Sequence, residues 1–306
     1  MRIVIALGGN ALLHRGEHPD AEVQRANIVR VATAIAALAH EHDIVMTYGN
    51  APQVGLLAVE SANDPGLSAP YPLDLLGAQT QGMIGSLLTC ALHDALPGRR
   101  VAALVTHTVV RADDPAFDRP GLFVGPVYPQ RLAMTLAARY GWHVSRDAHG
   151  WRRVIPAPGP ERVLETGTVR ALLDSGTVVV CAGGGGVPVV ADRAGALRGV
   201  DAAVDKDLTA ALLAEDLEAD FLLILTDVPN VYTDYGTPRQ RPVLDATPGE
   251  LRRAGCAEDT MGPKAEAAAR FVERTGGLAA IGALDAAYAI VHGRSGTLVR
   301  PDLYPV

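Results

Sequence analysis

Only two of the 27 basic residues in this 306-residue chain are lysine, Lys206 and Lys264, and the rest are arginine. On a solvated surface the two cations are largely exchangeable, but a point-charge site needs a compact ammonium on a flexible stem, not a planar guanidinium. The two lysines are therefore the first candidates for chemistry. Lys206 lies in Val204-Asp205-Lys206-Asp207-Leu208, ahead of an apolar helical segment, and Lys264 follows Met261-Gly262-Pro263 at the head of an Ala-rich one. Pro263 suits the first turn of a helix, which sets Lys264 near the positive end of the helix dipole. That placement is unfavourable unless ammonium and helix terminus together face an anion. Asp205 or Asp207 suits capping the next helix, Asp207 alternatively holding the ammonium groups, and aspartates near phosphates also bind Mg²⁺; the pattern leaves these roles open.

Glycine supplies the second half of this chemistry. Apolar runs end in Gly8-Gly9-Asn10-Ala11, in Gly49-Asn50-Ala51-Pro52 and in Gly183-Gly184-Gly185-Gly186. Glycine lets backbone N–H groups approach an anion closely, and a following helix N-terminus adds partial positive charge. One such loop is an ordinary strand-to-helix turn, whereas three at three strand ends describe a phosphate-handling pocket. None of them is a Walker A sequence, a GxGxxG fingerprint or a protein-kinase loop.

Composition narrows the partners. A formal net charge of −7 argues against a nucleic-acid surface, and 48% hydrophobic residues imply a globular chain with a sizeable core. Gly176–Ala191 is interrupted by glycine and proline, and the Leu75–Leu92 segment carries Gln79, Thr80 and Gln81, so no membrane span is expected. The first apolar run breaks at Gly8-Gly9-Asn10, which fits no signal peptide and leads to a cytoplasmic expectation. Cys90, Cys181 and Cys256 share no CxxC spacing and read as buried free thiols. The nine histidines have no metal-ligand spacing and read as surface residues.

The elements that must position these groups alternate. Short apolar runs at Ile3–Leu7, Ile44–Thr47, Val101–Thr106, Val178–Ala182, Phe221–Leu225 and Leu278–Ile281 alternate with helical patterns such as Glu22–His40, Pro52–Asn63, Leu73–Leu96 and Leu208–Leu217. Strands without a polar face, separated by helices, predict an α/β three-layer αβα sandwich around a mostly parallel sheet. In such a sheet ligands bind beyond the carboxyl ends of the strands, where the glycine loops fall. Residues 111–160 are rich in proline and glycine and read as an irregular excursion, with Trp151–Pro156 an isolated strand inside it.

Taken together, Ala6–Leu12, Gly49-Asn50 with Pro52-Gln53-Val54-Gly55, Gly77–Gly85, Cys181–Pro188, Asp205-Lys206-Asp207 and Met261-Gly262-Pro263-Lys264 resemble carbamate kinase. The resemblance runs nearly end to end. It implies the amino-acid kinase fold as a single domain over 1–306, with an acceptor-binding half at 1–182, a protruding subdomain at about 111–160, and a nucleotide-binding half at 183–306. It also implies a reversible transfer, ATP plus carbamate giving ADP plus carbamoyl phosphate, with Mg²⁺ accompanying ATP or ADP, a homodimer, and a place in arginine metabolism. Carried onto this chain, Gly8, Gly9, Asn10, Gly49, Asn50, Ala51, Gly184 and Gly185 would face the acceptor and the transferred phosphoryl group. Lys206 and Lys264 would stabilise its charge and Asp207 would orient them. Thr226, Asp227, Val228, Tyr232, Met261 and Gly262 would lie on the nucleotide side, and the Mg²⁺ ligands stay unassigned.

The chain departs from the family pattern on the acceptor side. Where the family has Thr-Lys-Pro-Ile-Gly-Pro, it reads Gly121-Leu122-Phe123-Val124-Gly125-Pro126, so Leu122 takes the place of a third lysine. Tyr48-Gly49-Asn50-Ala51 replaces His-Gly-Asn-Gly. Three readings follow: a carbamate kinase in which Arg111 or Arg119 supplies the absent cation, a kinase of the same fold for another small carboxylate or nitrogen acceptor, and a non-catalytic nucleotide-binding homologue.

Overall fold

A computed structural model describes residues 1–14, 16–147, 149–256 and 261–302. The apolar runs form an eight-stranded sheet in the order Asp245–Ala246, Thr297–Val299, Leu278–Ala283, Phe221–Thr226, Arg2–Leu7, Asp43–Tyr48, Val178–Val180 and Val101–Ala103. All neighbours are parallel except Leu278–Ala283 with Thr297–Val299. The strands lack a polar face because each face is covered. Val4, Ala6, Leu222 and Ile224 pack with Ala210, Leu213, Ala268 and Phe271 of the Lys206–Asp216 and Met261–Thr275 helices. On the other face Ile3, Ile5, Leu223 and Leu225 pack with Ile28, Val31, Ile35, Ile84 and Leu88 of the Ala21–Ala39 and Leu73–Ala95 helices. This is the three-layer α/β sandwich expected.

Arg2–Leu7 lies at the centre, flanked by Asp43–Tyr48 on one side and Phe221–Thr226 on the other. The chain leaves it in one direction and returns from the other, so the carboxyl end of Arg2–Leu7 is the topological switch point where a crevice opens. Gly8-Gly9-Asn10, Gly49-Asn50 and Thr226-Asp227 all emerge there.

Three local expectations need correction. The Val101–Thr106 run is strand only over Val101–Ala103, which joins the large sheet, and a separate strand, His107–Val110, joins a four-stranded sheet with Val187–Ala191, Leu197–Gly199 and Pro160–Val163. Trp151–Ile155 is no isolated strand but the middle of a small antiparallel sheet, between Leu122–Tyr128 and His143–Arg146. With the Gln130–Tyr140 helix it gives regular structure to the segment expected to be irregular. Its pattern was weak because the sheet is thinly covered: Ile155 joins only Leu73 and Leu76 in a buried cluster. Of the free cysteines only Cys181 is buried, its thiol pushed up to about 12 by desolvation, whereas Cys90 is exposed and Cys256 intermediate.

Candidate active site

The Lys206–Asp216 helix starts at Asp205, whose Oδ1 accepts the N–H groups of Asp207 and Leu208, both at 2.9 Å. Asp205 is therefore the cap, and Asp207 is left for other work. Its carboxylate is 3% exposed, with Oδ1 accepting from Lys206 Nζ at 2.5 Å and Oδ2 from Lys264 Nζ at 3.1 Å. Two lysines distant in sequence meet because the helices that carry them pack together through small residues, Ala210 and Ala211 on one, Ala265 and Ala268 on the other. One buried carboxylate thus holds both ammonium groups.

Burial pushes the Asp207 carboxyl up, but Lys206 and Lys264 together outweigh it and hold the group below the usual carboxylate range. Burial lowers Lys206, opposed by Asp207 and reinforced by the like charge of Lys264. Burial and the neighbouring Asp207 charge raise Asp205. Asp207 thus holds two ammonium groups side by side in a poorly solvated place. Two neighbouring cations there attract an incoming anion.

The glycine loops close around the cluster. Gly49 donates its N–H to Leu7 at 3.0 Å, and a Cβ there would lie 2.8 Å from Gly9 N and 3.2 Å from Lys206 Cε. Only a residue without a side chain lets the first two loops touch while Lys206 passes alongside. Gly8 gives its N–H to Leu225 at 2.9 Å, which leaves Gly9 and Asn10 to open a short 3₁₀ turn with donors that have no acceptor inside it. Asn50 and Ala51 likewise head the Ala51–Asn63 helix, which has no side-chain cap. Ala51 is exposed.

The third loop is built differently. Asn50 Nδ2 donates to Thr80 Oγ1 at 2.8 Å, and its amide fills the space where a Gly184 Cβ would stand. Gly185 donates its N–H to Ala182 at 3.0 Å, while its carbonyl accepts from Thr108 and Thr209 hydroxyls at 2.6 and 3.1 Å. With φ +85° and Val204 O 2.4 Å from any Cβ, Gly185 shapes the turn and has no N–H left for a phosphate. Tyr48 points away from the crevice: its ring lies under Gly183 and its hydroxyl donates to Gln81 O at 3.0 Å. Burial raises that phenol.

Sequence reasoning missed the layer behind these loops. Thr80, Gln81 and Thr106 are buried. Gln81 exchanges hydrogen bonds with Thr106, whose hydroxyl accepts from Ala182 N at 2.8 Å. The available signal was the polar triplet Gln79-Thr80-Gln81 in an otherwise apolar helix, which served to argue against a membrane span and as part of the Gly77–Gly85 resemblance, without a role for its side chains.

On the opposite flank Thr226 Oγ1 donates to Asp227 Oδ1 at 3.2 Å, and Asn10 Nδ2 donates to Asp227 Oδ2 at 3.0 Å. Asn10 and Asp227 thus bridge the first loop to the end of Phe221–Thr226. Val228 follows half-buried, and Tyr232 on the Val231–Thr233 strand lies against Tyr235 with ring centroids 6.0 Å apart. Met261 and Gly262 open the helix that carries Lys264, with Met261 packed against the core. Arg111 pairs with Asp113 at 2.9 Å on the surface and Arg119 is exposed. Leu122 is 45% exposed and pairs in register with Ile155, so the two share a face of the small sheet. Among the described residues no group of three or more His, Cys, Asp or Glu side chains gathers to hold a metal, and no helix is long and apolar enough to cross a membrane.

The sequence profile described as the Amino acid kinase family matches residues 1–281. The chain belongs to the amino acid kinase family. Within that family it is 48% identical to the carbamate kinase of Rhizobium meliloti, covering 98% of this chain and 93% of that one. It is 44% identical to the carbamate kinase of Haemophilus influenzae, covering 98% and 96%. Among solved structures, carbamate kinase from Giardia lamblia bound to AMP-PNP superposes with a TM-score of 0.92 at 35% identity over 98% of each chain. This amino acid kinase is therefore carbamate kinase-like along nearly its whole length, and it is an ATP-dependent phosphotransferase.

Proposed function

We propose that the chain transfers a phosphoryl group between ADP and carbamate, taking it from carbamoyl phosphate to form ATP and in the reverse direction consuming ATP. The observation that carries this reading is Asp207, a buried carboxylate gripping both lysines of the chain beside Gly49 and Gly9. The carbamate kinases among its relatives supply the acceptor.

In the direction of ATP synthesis an ADP β-phosphate oxygen attacks phosphorus, the bond from phosphorus to the carbamoyl oxygen breaks, and the electron pair leaves on carbamate. Negative charge spreads over the three equatorial oxygens in the transition state, and little covalent work is left to the protein. Lys206 and Lys264 stabilise that charge as fixed cations, with Asp207 setting their direction. The acceptor and phosphoryl group lie against Gly8, Gly9, Asn10, Gly49, Asn50, Ala51 and Gly184, with Gly185 shaping the turn. Donors already in place in a drier pocket need no reorganisation as the charge develops.

The nucleotide lies on the side of Thr226, Asp227, Val228, Tyr232, Met261 and Gly262, with residues 183–306 as its half and 1–182 as the acceptor half. Mg²⁺ fits as an ion held mainly by nucleotide phosphates, since Asp205 caps a helix and Asp207 is engaged by lysines. When bound it neutralises phosphate charge. Asp227 is the carboxylate at the strand ends best placed to assist. The working unit is a homodimer in the cytoplasm.

The test is ATP formation from ADP and carbamoyl phosphate with Mg²⁺, followed by a screen of other small acceptors. Robust turnover supports carbamate. Absent turnover with tight ADP binding favours the second reading, a different small carboxylate or nitrogen acceptor, for which half-exposed Leu122 and exposed Ala51 are the motivating residues.

A further inference from the structure

The loop leading into Lys206 is gripped at a place remote from the phosphate loops. Asp201 lies between the Leu197–Gly199 strand and the Lys206–Asp216 helix. Its Oδ2 pairs with the Arg153 guanidinium of the small sheet. Its Oδ1 accepts the Leu73 N–H at 3.0 Å, the first residue of a helix whose N-cap, Pro72, offers no side-chain cap. Two residues on, Ala203 donates its N–H to Pro156 O at 3.1 Å, where the small sheet ends. Val204 then presses its carbonyl onto Gly185, and Asp205 caps the helix that presents Lys206.

Arg153 is built for this contact. It is 8% exposed, and its guanidinium stacks 4.5 Å from the centroid of the Trp142 ring. The apolar contact between the small sheet and the body of the protein is modest, Ile155 with Leu73 and Leu76 and a fringe that includes Val54, Leu57, Val124 and Ala203. A unit held by so few buried contacts opens at low free-energy cost, so an ion pair at its edge, with Arg153 buried and Asp201 half-exposed, has a large share in fixing its position. The helix at whose head Asp201 sits also carries Thr80 and Gln81, which hold Asn50 and the 182–186 turn.

We infer that Arg153 and Asp201 are positioning residues that register the small sheet, with its acceptor-facing Leu122, against the loop that presents Lys206. The sheet and the catalytic ammonium move as one piece, and the reaction centre is complete only when the pair is closed. This inference rests on the assignment of the acceptor to the Leu122 side.

Arg153→Met keeps the stem and removes the charge, and Asp201→Asn keeps the acceptor for Leu73 while removing the charge. Each is expected to lower kcat about tenfold and raise the KM for carbamoyl phosphate, with the KM for ADP unchanged to within about twofold. The double variant is expected to lose little more than either single one, because both break one coupling. Arg153→Lys, which restores charge without the stacking fork, should recover part of the rate. In parallel, hydrogen exchange at Ala203 and in the first turn of the Lys206 helix should quicken in both single variants. A change in melting temperature without a change in kcat or in exchange at those amides overturns the inference, as does an equal rise in both KM values. If the unaltered enzyme makes no ATP from carbamoyl phosphate, the acceptor assignment fails, and the exchange measurement alone decides the coupling.

Discussion

Asp207→Asn tests the arrangement at its centre. The substitution keeps the shape but removes the charge that faces both lysines, at 2.5 and 3.1 Å. Two ammonium groups with side chains only 13% and 15% exposed then share a site with no carboxylate between them. Breaking a buried pair by removing one partner costs about 3–5 kcal/mol, because the remaining charges lose the group that faced them. For a chain of this size each kcal/mol lowers the melting temperature by about 2 °C, so a drop of roughly 6–10 °C is expected.

The same change lets both ammonium groups swing off the phosphoryl position, and kcat should fall about 10²–10³-fold, the scale of losing a preorganised donor. Bound anion replaces the missing charge, so carbamoyl phosphate or inorganic phosphate should raise the melting temperature more in the variant than in the unaltered protein. In the unaltered protein the Asp207 carboxyl is held below its ordinary 3.8; its contribution to stability is present above that value and is lost as pH falls through the lower native one. Calorimetry with and without ligand, alongside coupled ATP synthesis, reads all three effects. A variant that melts within about 2 °C of the parent and keeps its kcat to within threefold would refute the view that one carboxylate organises both lysines.

Four shorter expectations accompany it. Lys264→Arg should fold normally and lose most phosphotransfer, since a planar fork does not replace a point charge; near-parental kcat would exclude that role. Gly49→Ala forces Gly9 and Lys206 apart, from contacts of 2.8 and 3.2 Å, and should cost about 1–3 kcal/mol of stability and about 10²-fold in kcat. Gly77→Ala, where nothing lies within 4 Å, is its control, and equal effects in the two variants would dispose of the close-approach argument. Burial holds Lys206 below its ordinary 10.5, so kcat should decline on the alkaline side before pH 10.5 as the ammonium loses its proton, and a flat profile to that pH would contradict the assignment. Leu122→Lys should raise carbamoyl phosphate-dependent turnover, and an unchanged rate would mean that another group already supplies that charge.

The parts of this molecule that could be read in advance were those written in local pattern. Continuous apolar runs such as Ile3–Leu7 gave the buried parallel strands, because a strand covered on both faces has no reason to alternate. Lys206 and Lys264 stood out through scarcity alone. The residues that hold the loops were hidden because their partners are far away in the chain: Asp201 with Leu73, Thr80 with Asn50, Gln81 with Thr106. The small sheet was misread for a different reason. Its strands expose Leu122, Phe123 and Val127 and carry Arg152 and Arg153, so neither alternation nor an apolar run marks them.

The departures from the family pattern are unequal once their directions are known. Tyr48 is turned into the scaffold, beneath Gly183 and against Gln81, so its change from imidazole to phenol alters the support of a loop and leaves the acceptor untouched. Ala51 adds a methyl group at the exposed head of a helix that has no side-chain cap, next to Asn50. Leu122 removes a charge from a sheet whose register on the body depends on Arg153 and Asp201. In the proposed mechanism phosphoryl transfer depends on Asp207 and its two lysines, which lie on the main sheet's helices. Discrimination among acceptors therefore falls to Ala51 and the small sheet, and changes there should alter which acceptor is used before they alter how fast phosphorus is transferred.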